Sequence, residues 1–291
     1  MTGSRIDAHC HYWTLARDEY GWLTPDLEPI YRDFGAADHD AASMGLDVAQ
    51  RVLVQAAPTV AETEFLLLCA MADAKATGVV GWVDLSAANA ADELERLAVD
   101  PLFKGIRPML QDLSEPDWIV TRPRREAVAK LIELGLRFDA LAKPAQIDAV
   151  LAFARTNPDL PIIIDHAAKP DLSLPSDAPE RLHWATAMAG LAGLPNVCCK
   201  LSGLLNEMSP EDVTTPEATA RVLAPILDQL LDWFGADRLA WGSDWPVVNL
   251  AADYGFWAEV TDHLIAGLSD AEQSNILSGT AARFYGLEAD R

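Results

Sequence analysis

The sequence predicts a single (β/α)8 barrel, and two observations support this prediction. Eight short segments rich in branched apolar residues recur along the 291 residues, and patterns with helical spacing separate most of them. Apolar strands that alternate with amphipathic helices are typical of a parallel sheet covered by helices, and eight such units are typical of a closed barrel. An open doubly wound sheet has the same alternation, but no glycine-rich phosphate turn follows the first strand. We expect one domain over residues 1–291.

The eight predicted strands follow one another at intervals that leave room for a helix. They are RIDAHCH (5–11), RVLVQAA (51–57), VVGWVDL (79–85), KGIRPML (104–110), LRFDALA (136–142), PIIIDHA (161–167), NVCCKLS (196–202) and RLAWGSD (238–244). The clearest helical patterns lie at 62–76, 125–135, 144–156, 179–193 and 216–235. Prolines stand where three of these helices would begin, which is a position that proline favours.

Long irregular segments follow strands 1, 4, 6, 7 and 8 of the predicted barrel. They cover residues 12–39, 111–120, 168–178, 203–215 and 245–253. Loops that follow the strands build the active-site face of such barrels. We therefore expect functional residues at this face.

The composition excludes several classes of protein. A formal net charge of −22 disfavours binding to nucleic acid or to an anionic membrane surface. The sequence has neither a run of 18 apolar residues nor the pattern of a signal peptide, so we expect a cytoplasmic protein. The four cysteines form no CxxC pair, which favours free thiols over a zinc-thiolate site.

The first strand ends in two histidines, His9 and His11. Because side chains alternate along a strand, we expect Asp7, His9 and His11 on one face and the apolar residues between them on the other. Two structural histidines with satisfied hydrogen bonds would explain this pair as well. Two later strands also end in titratable residues, His166 and Asp244. Convergence of strands 1, 6 and 8 on one mouth favours a catalytic site built from His9, His11, His166 and Asp244.

These motifs resemble the amidohydrolase superfamily. An HxH on strand 1, a histidine on strand 6 and an aspartate closing strand 8 form its pattern, and DAHCHYW, GIRPMLQ, DHAAKP and GSDWP resemble its sugar-lactone and pyrone-dicarboxylate lactone hydrolases. The likeness runs from Asp7 to the terminal SGTAARFYGL. It implies a hydrolase that opens the lactone of a sugar acid, such as fuconolactone or rhamnonolactone.

The chain departs from the metal-dependent members of this superfamily. Those members add a bridging ligand from strand 3 or 4 and a histidine from strand 5, whereas strands 4 and 5 here contain no histidine and Lys104 lies at the wrong end of its strand. We expect no requirement for a cofactor. A single divalent ion such as zinc on His9, His11 and Asp244 remains chemically possible.

Lactone opening without a metal needs a base for water and donors for the carbonyl oxygen. Asp244 is the candidate general base, and burial at the barrel mouth is expected to raise its pKa toward neutrality. The three histidines are candidates to stabilise the developing oxyanion by hydrogen bonding.

Other polar and aromatic residues are candidates to bind the substrate, although structural ion pairs or packing would explain them equally well. Cations and an amide could hold hydroxyl groups, and an aromatic wall suits the apolar face of a sugar ring. Trp245 is the best aromatic candidate because it directly follows the predicted base. The candidates are Arg107, Lys169, Lys200, Gln55, Trp13, Trp22 and Trp245.

Two other functions stay open at this point. One is a metal-dependent decarboxylase of a related amidohydrolase branch, which would normally show the strand-5 histidine. The other is a non-catalytic binding barrel, against which the intact HxH and Asp244 argue. The sequence leaves open which lactone is cleaved and the oligomeric state.

Overall fold

A computed structural model describes residues 4–287 of the chain. Eight strands form one sheet in which each strand pairs in parallel with the next one along the chain. The strands are β1 (Arg5–Cys10), β2 (Val48–Val54), β3 (Ala76–Gly81), β4 (Phe103–Ile106), β5 (Arg137–Ala140), β6 (Ile162–Ile164), β7 (Val197–Leu201) and β8 (Leu239–Trp241).

Helices lie between successive strands, so the prediction of a single (β/α)8 barrel is confirmed. The helices are α1 (Ala36–Ala42), α2 (Val60–Ala72), α3 (Ala90–Leu97), α4 (Trp118–Thr121), α5 (Arg125–Glu133), α6 (Ile147–Thr156), α7 (Pro179–Ala192), α8 (Pro216–Phe234), α9 (Tyr254–Ile265), α10 (Asp270–Ser274) and α11 (Thr280–Tyr285). Within residues 4–287, none of these helices combines the length and the apolar character that crossing a membrane requires.

The predicted strands are longer at their carboxyl ends than the observed strands. β6 stops at Ile164 and β8 stops at Trp241, although the predicted segments continue to residues 167 and 244. The chain leaves the sheet there because His166 and Asp244 adopt positive φ angles of 53° and 58°. These two residues therefore lie in the loops at the mouth.

The prediction that Asp7 shares a face with His9 and His11 is wrong. The pairing of β1 with β2 shifts register between Asp7 and Cys10, so strict alternation fails at this point. Asp7 contacts His39 of α1 and Tyr254 of α9 on the outside of the barrel.

The barrel interior holds a small apolar core that is separate from the layer between strands and helices. Side chains of β1, β2, β3, β6 and β8 meet there, and α11 adds Phe284 and Tyr285. The larger cluster packs the opposite faces of the strands against the surrounding helices.

The segment after β8 closes the barrel against β1. The Asp244 amide donates to the His9 carbonyl at 2.8 Å, and the His11 amide donates to the Trp245 carbonyl at 2.7 Å. Asp7 supports this seam between β1 and residues 243–245. Its carboxylate accepts hydrogen bonds from the Ser243 amide at 2.8 Å and from the Ser243 hydroxyl at 2.6 Å.

The role of Asp7 in closure can be tested by Asp7→Asn. Burial alone would raise the pKa of Asp7, but hydrogen bonds and charge from His39 and hydrogen bonds from Ser243 lower it, so the carboxylate is the form that stabilises the fold. The side-chain amide of the variant would place its own N–H groups against donors that now bind the Asp7 carboxylate. We therefore expect the free energy of unfolding to fall by about 3 kcal/mol. Urea denaturation at neutral pH measures this difference.

The matched control is Asp148→Asn, which changes a side chain that is 70% exposed. It should stay close to the wild type, because exposed ion pairs contribute little. The difference at Asp7 should shrink as the pH falls below the ordinary range of an aspartate. Equal stability of both variants at neutral pH would show that Asp7 does not hold the seam.

Candidate active site

Three imidazole rings surround one carboxylate oxygen at the barrel mouth. Asp244 Oδ1 lies 3.3 Å from His11 Nε2, 3.6 Å from His9 Nε2 and 3.7 Å from His166 Nε2. All four side chains are buried. The structure therefore brings together the four residues that the sequence predicted as catalytic.

Unusual backbone conformations place two of these side chains. Residues 166–169 all have φ between 50° and 58°, and Asp244 has φ of 58°. For residues other than glycine this region costs on the order of 1–2 kcal/mol each, and such positions concentrate at functional sites. The two loops thus turn His166 and Asp244 inward just beyond their strands.

A glycine and a serine from the loop after β7 hold the His166 ring. A side chain at Gly203, which has φ of +65°, would place a Cβ 2.5 Å from His166 Nδ1. The same nitrogen lies 2.9 Å from the Ser202 hydroxyl oxygen. Gly203 therefore leaves the space that the His166 ring occupies, and Ser202 supplies its hydrogen-bond partner.

The tautomer of His11 follows from its backbone partner. Its Nδ1 lies 2.8 Å from the Val54 carbonyl oxygen, which can only accept, so Nδ1 carries a proton. A neutral His11 then presents the lone pair of Nε2 to Asp244. The 3.3 Å contact between these two groups becomes a hydrogen bond when the ring gains a second proton.

The pKa of Asp244 contradicts the sequence prediction that it is raised toward neutrality. Burial raises the pKa, but the three histidines outweigh burial and hold the pKa of Asp244 well below its usual range. Burial lowers the pKa of His166 to about 4, and it lowers that of His9 well below the usual value. At neutral pH the site contains an ionised aspartate beside neutral His9 and His166.

A layer of buried charge lies directly beneath these rings. Lys200 of β7 places Nζ 2.5 Å from Asp139 Oδ2, 2.9 Å from Asp165 Oδ1 and 3.0 Å from His9 Nδ1. Tyr285 of α11 donates its hydroxyl to Asp139 at 2.7 Å. Burial alone would lower the pKa of Lys200, but the two carboxylates raise it, so Lys200 is an ammonium ion.

Arg107 and Gln55 form a reciprocal pair in the barrel wall. The Gln55 side-chain amide donates to the Arg107 main-chain carbonyl at 2.6 Å, and the Arg107 guanidinium donates to the Gln55 main-chain carbonyl. The guanidinium also lies 3.4 Å from His9 Nε2 and 3.7 Å from Asp165 Oδ2. Arg107 lines the cavity at the mouth, whereas Gln55 lies behind it.

The predicted aromatic residues occupy two different environments. Trp13 and Trp245 are buried and pack against Phe34, away from the cavity lining. Trp22 lines the cavity and donates its indole N–H to the Ala56 carbonyl at 2.8 Å. The position next to Asp244 in sequence was therefore a poor guide, because the chain turns Trp245 outward.

The cavity above the imidazoles has a volume of about 540 Å³. The predicted residues that line it are His11, His166, Asp244, Arg107, Lys169 and Trp22.

Sequence reasoning missed four polar lining residues. They are Gln111, Asp112, Asn206 and Glu207. Burial raises the pKa of Glu207, while the nearby Lys169 ammonium acts in the opposite direction. These residues lie in segments 111–120 and 203–215, which the sequence marked as mouth loops. A loop sequence does not show which of its polar residues turns inward.

Three of the site residues lie close enough together to hold a single divalent ion. His9, His166 and Asp244 each offer a ligand atom within 4.8 Å of the others, whereas the sequence had proposed His9, His11 and Asp244. The distances around Asp244 Oδ1 are close to the edges of a zinc tetrahedron, about 3.3–3.4 Å for ligands at 2.0–2.1 Å.

The environment of His9 does not fit a metal ligand. A ligating histidine usually donates its other N–H to a carboxylate or carbonyl, as His11 does to Val54, but His9 Nδ1 lies nearest the Lys200 ammonium. The donor set therefore fits an ion only in part.

Comparisons with known proteins agree with this architecture over its length. The family described as Amidohydrolase matches residues 6–287. The chain is 42% identical to an L-fucono-1,5-lactonase of Burkholderia ambifaria over 98% of this chain and 96% of that protein. It is 35% identical to an L-fucono-1,5-lactonase of Burkholderia multivorans over 99% of this chain and 97% of that protein.

The chain is also similar to a solved structure. An amidohydrolase from Burkholderia multivorans with bound zinc superposes with a TM-score of 0.88 at 33% sequence identity, covering 98% of this chain and 100% of that one. The family match spans the strands, the mouth loops and α11, which together hold every residue of the site described above. The chain belongs to the amidohydrolase family.

Proposed function

We propose that this chain hydrolyses lactones of sugar acids, acting as a one-domain cytoplasmic enzyme on a small-molecule substrate. The observation that carries the proposal is the ionised Asp244 at the centre of three imidazoles, opening into a cavity lined by hydrogen-bonding side chains. The two relatives named L-fucono-1,5-lactonase support a lactone of the fuconolactone type, and they favour this reaction over the decarboxylase alternative.

The reaction begins with a water molecule between Asp244 and the lactone carbonyl. Asp244 accepts a proton from water as the oxygen attacks the carbonyl carbon, and the carbonyl oxygen becomes an oxyanion. His166 and Arg107 line the cavity and are the donors available to that oxyanion. The ring C–O bond then breaks, and the leaving alkoxide takes the proton to give the open hydroxy acid.

The ionised state of Asp244 at neutral pH is the state that accepts a proton from water. The attack also depends on polarisation of the carbonyl by the donors that line the cavity. Protonated Asp244 then returns the same proton to the leaving alkoxide, so one carboxyl group serves both proton transfers.

The outer cavity has the chemistry to bind hydroxyl groups. Asn206, Glu207 and Lys169 combine an amide, a carboxylate and an ammonium, and Trp22 with Leu27 supplies an apolar wall. Vicinal hydroxyls donate to carboxylates and accept from ammonium groups. We propose that these residues bind the sugar-acid hydroxyls while the lactone carbonyl faces the imidazoles.

Replacement of Asp244 by Asn tests the assignment of the base. The amide has nearly the same shape but accepts no proton from water, so we expect kcat to fall by about 10²–10⁴-fold with the fold retained. The matched control is Asp171→Asn, an exposed aspartate in the loop after β6, which should keep wild-type kcat. Lactone opening followed with a pH indicator, together with thermal unfolding, measures both effects.

The pH profile of the wild type belongs to the same test. Because Asp244 is ionised far below neutrality and His166 loses its proton at about pH 4, kcat/KM should rise through about pH 4 and stay level to neutrality. Near-wild-type turnover of Asp244→Asn, or an acidic limb near neutrality, would show that another group acts as the base.

Chelation tests the proposal that no metal is required. The strand-5 histidine is absent and His9 faces an ammonium ion, so we expect lactone hydrolysis to persist after treatment with a chelator. Rates are compared before and after dialysis, with the zinc content measured in both samples. Loss of activity that returns with one equivalent of zinc would contradict a metal-free reaction.

Replacement of Glu207 by Gln tests the hydroxyl-binding region. Loss of a charged hydrogen-bond acceptor costs about 1.5–3 kcal/mol, so KM for a polyhydroxylated lactone should rise about tenfold or more with little change in kcat. The control Glu211→Gln alters an exposed carboxylate on the same loop. Equal KM values for the two variants would remove Glu207 from the substrate-binding set.

A further inference from the structure

Three buried groups lie within 3.0 Å of the Lys200 ammonium. Its three contacts are to Asp139, Asp165 and His9 Nδ1, at 2.5 Å, 2.9 Å and 3.0 Å. Lys200, Asp139, Asp165 and His9 are all fully buried, so water does not compete for these positions. A lysine ammonium donates three hydrogen bonds and accepts none, so a hydrogen bond to His9 requires a lone pair on Nδ1.

His9 faces a cation at each ring nitrogen. Lys200 Nζ lies 3.0 Å from Nδ1, and an Arg107 guanidinium nitrogen lies 3.4 Å from Nε2. With a cation at each ring nitrogen, the neutral ring is the form that fits, and a neutral imidazole accepts at one nitrogen only. The shorter contact assigns the lone pair to Nδ1.

The alternative tautomer would use Asp165 as the acceptor for an Nδ1 proton. Asp165 Oδ1 lies 3.4 Å from His9 Nδ1, which is longer than the contact that Nδ1 makes with Lys200. An Nδ1 proton would also point toward the ammonium protons of Lys200. Charge and distance therefore both favour Nδ1 as an acceptor.

We propose that Lys200 is a positioning residue that fixes the His9 proton on Nε2. Held in this way, His9 directs a donor toward Asp244 Oδ1, 3.6 Å away, and orients the carboxylate to accept a proton from water. The role in catalysis rests on the proposed function, whereas the position of the proton does not.

The same tautomer opposes metal binding at the HxH motif. A metal ion needs the Nε2 lone pair, and His9 can offer it only by moving its proton to Nδ1, against the Lys200 ammonium. Second-shell partners of ligating histidines change metal affinity by about 10–100-fold. Lys200 thus weakens a divalent site whose other distances are close to those of a tetrahedral site.

The position of the proton can be observed directly in the intact wild-type protein. Labelling of histidine with 15N and two-dimensional 1H–15N correlation separate the protonated from the unprotonated ring nitrogen, and His9→Gln identifies the His9 signals. We expect His9 to show a protonated Nε2 and an unprotonated Nδ1 at neutral pH. A proton on Nδ1 would overturn the proposal, whatever the enzyme activity.

A charge-balanced double variant tests the cause. Lys200→Met combined with Asp139→Asn removes one cation and one carboxylate and leaves Asp165 to accept from His9 Nδ1. We expect the His9 proton to move to Nδ1, zinc affinity to rise about 10–100-fold in calorimetric titration, and kcat to fall more than KM changes.

The matched control is Asp139→Asn alone, which keeps the Lys200 ammonium. It should retain the Nε2 proton and the zinc affinity of the wild type. Equal tautomers or equal zinc affinities in the single and double variants would overturn the proposal. If the double variant fails to fold, the wild-type spectrum still decides the position of the proton.

Discussion

Closure of the barrel between β1 and the segment after β8 is the constraint on which the rest of the site depends. The Asp244 amide binds the His9 carbonyl, so the hydrogen bond that joins the two ends of the sheet also fixes the carboxylate beside its imidazole. Asp7 supports this seam from the outer side through Ser243, and the register shift in β1 allows Asp7 to face outward while His9 faces inward. Closure of the barrel and the geometry of the candidate active site therefore depend on the same set of contacts.

Charge balance beneath the mouth explains why the site residues take unusual protonation states. Carboxylates and cations alternate through the interior from Asp139 and Lys200 to Asp165, Arg107 and the imidazoles. Buried charges are stable only when each has partners, and the partners here also decide which groups keep their protons. The low pKa of Asp244 follows from this arrangement, whereas burial alone would have raised it.

Sequence periodicity predicted the barrel, because apolar strands and amphipathic helices have patterns set by local geometry. It also located His166 and Asp244, because strand ends in such barrels meet at one mouth. It misplaced Asp7, since a register shift breaks the alternation on which the prediction depended. Trp245 turned out to be packed outside the cavity and Glu207 to line it, because the direction of a loop side chain depends on tertiary contacts that no local pattern records.

The seam between β1 and β8 also has a kinetic meaning. Asp7 and Ser243 are separated by 236 positions, so their contact closes nearly the whole length of the described chain. Closing so long a loop is entropically costly and slow, so we expect this contact to form late in folding. A chain that had formed its strands and helices but not yet this contact would lack the aspartate–imidazole cluster. Recovery of turnover during refolding would thus report the joining of the two sheet ends, and secondary structure would report the earlier steps.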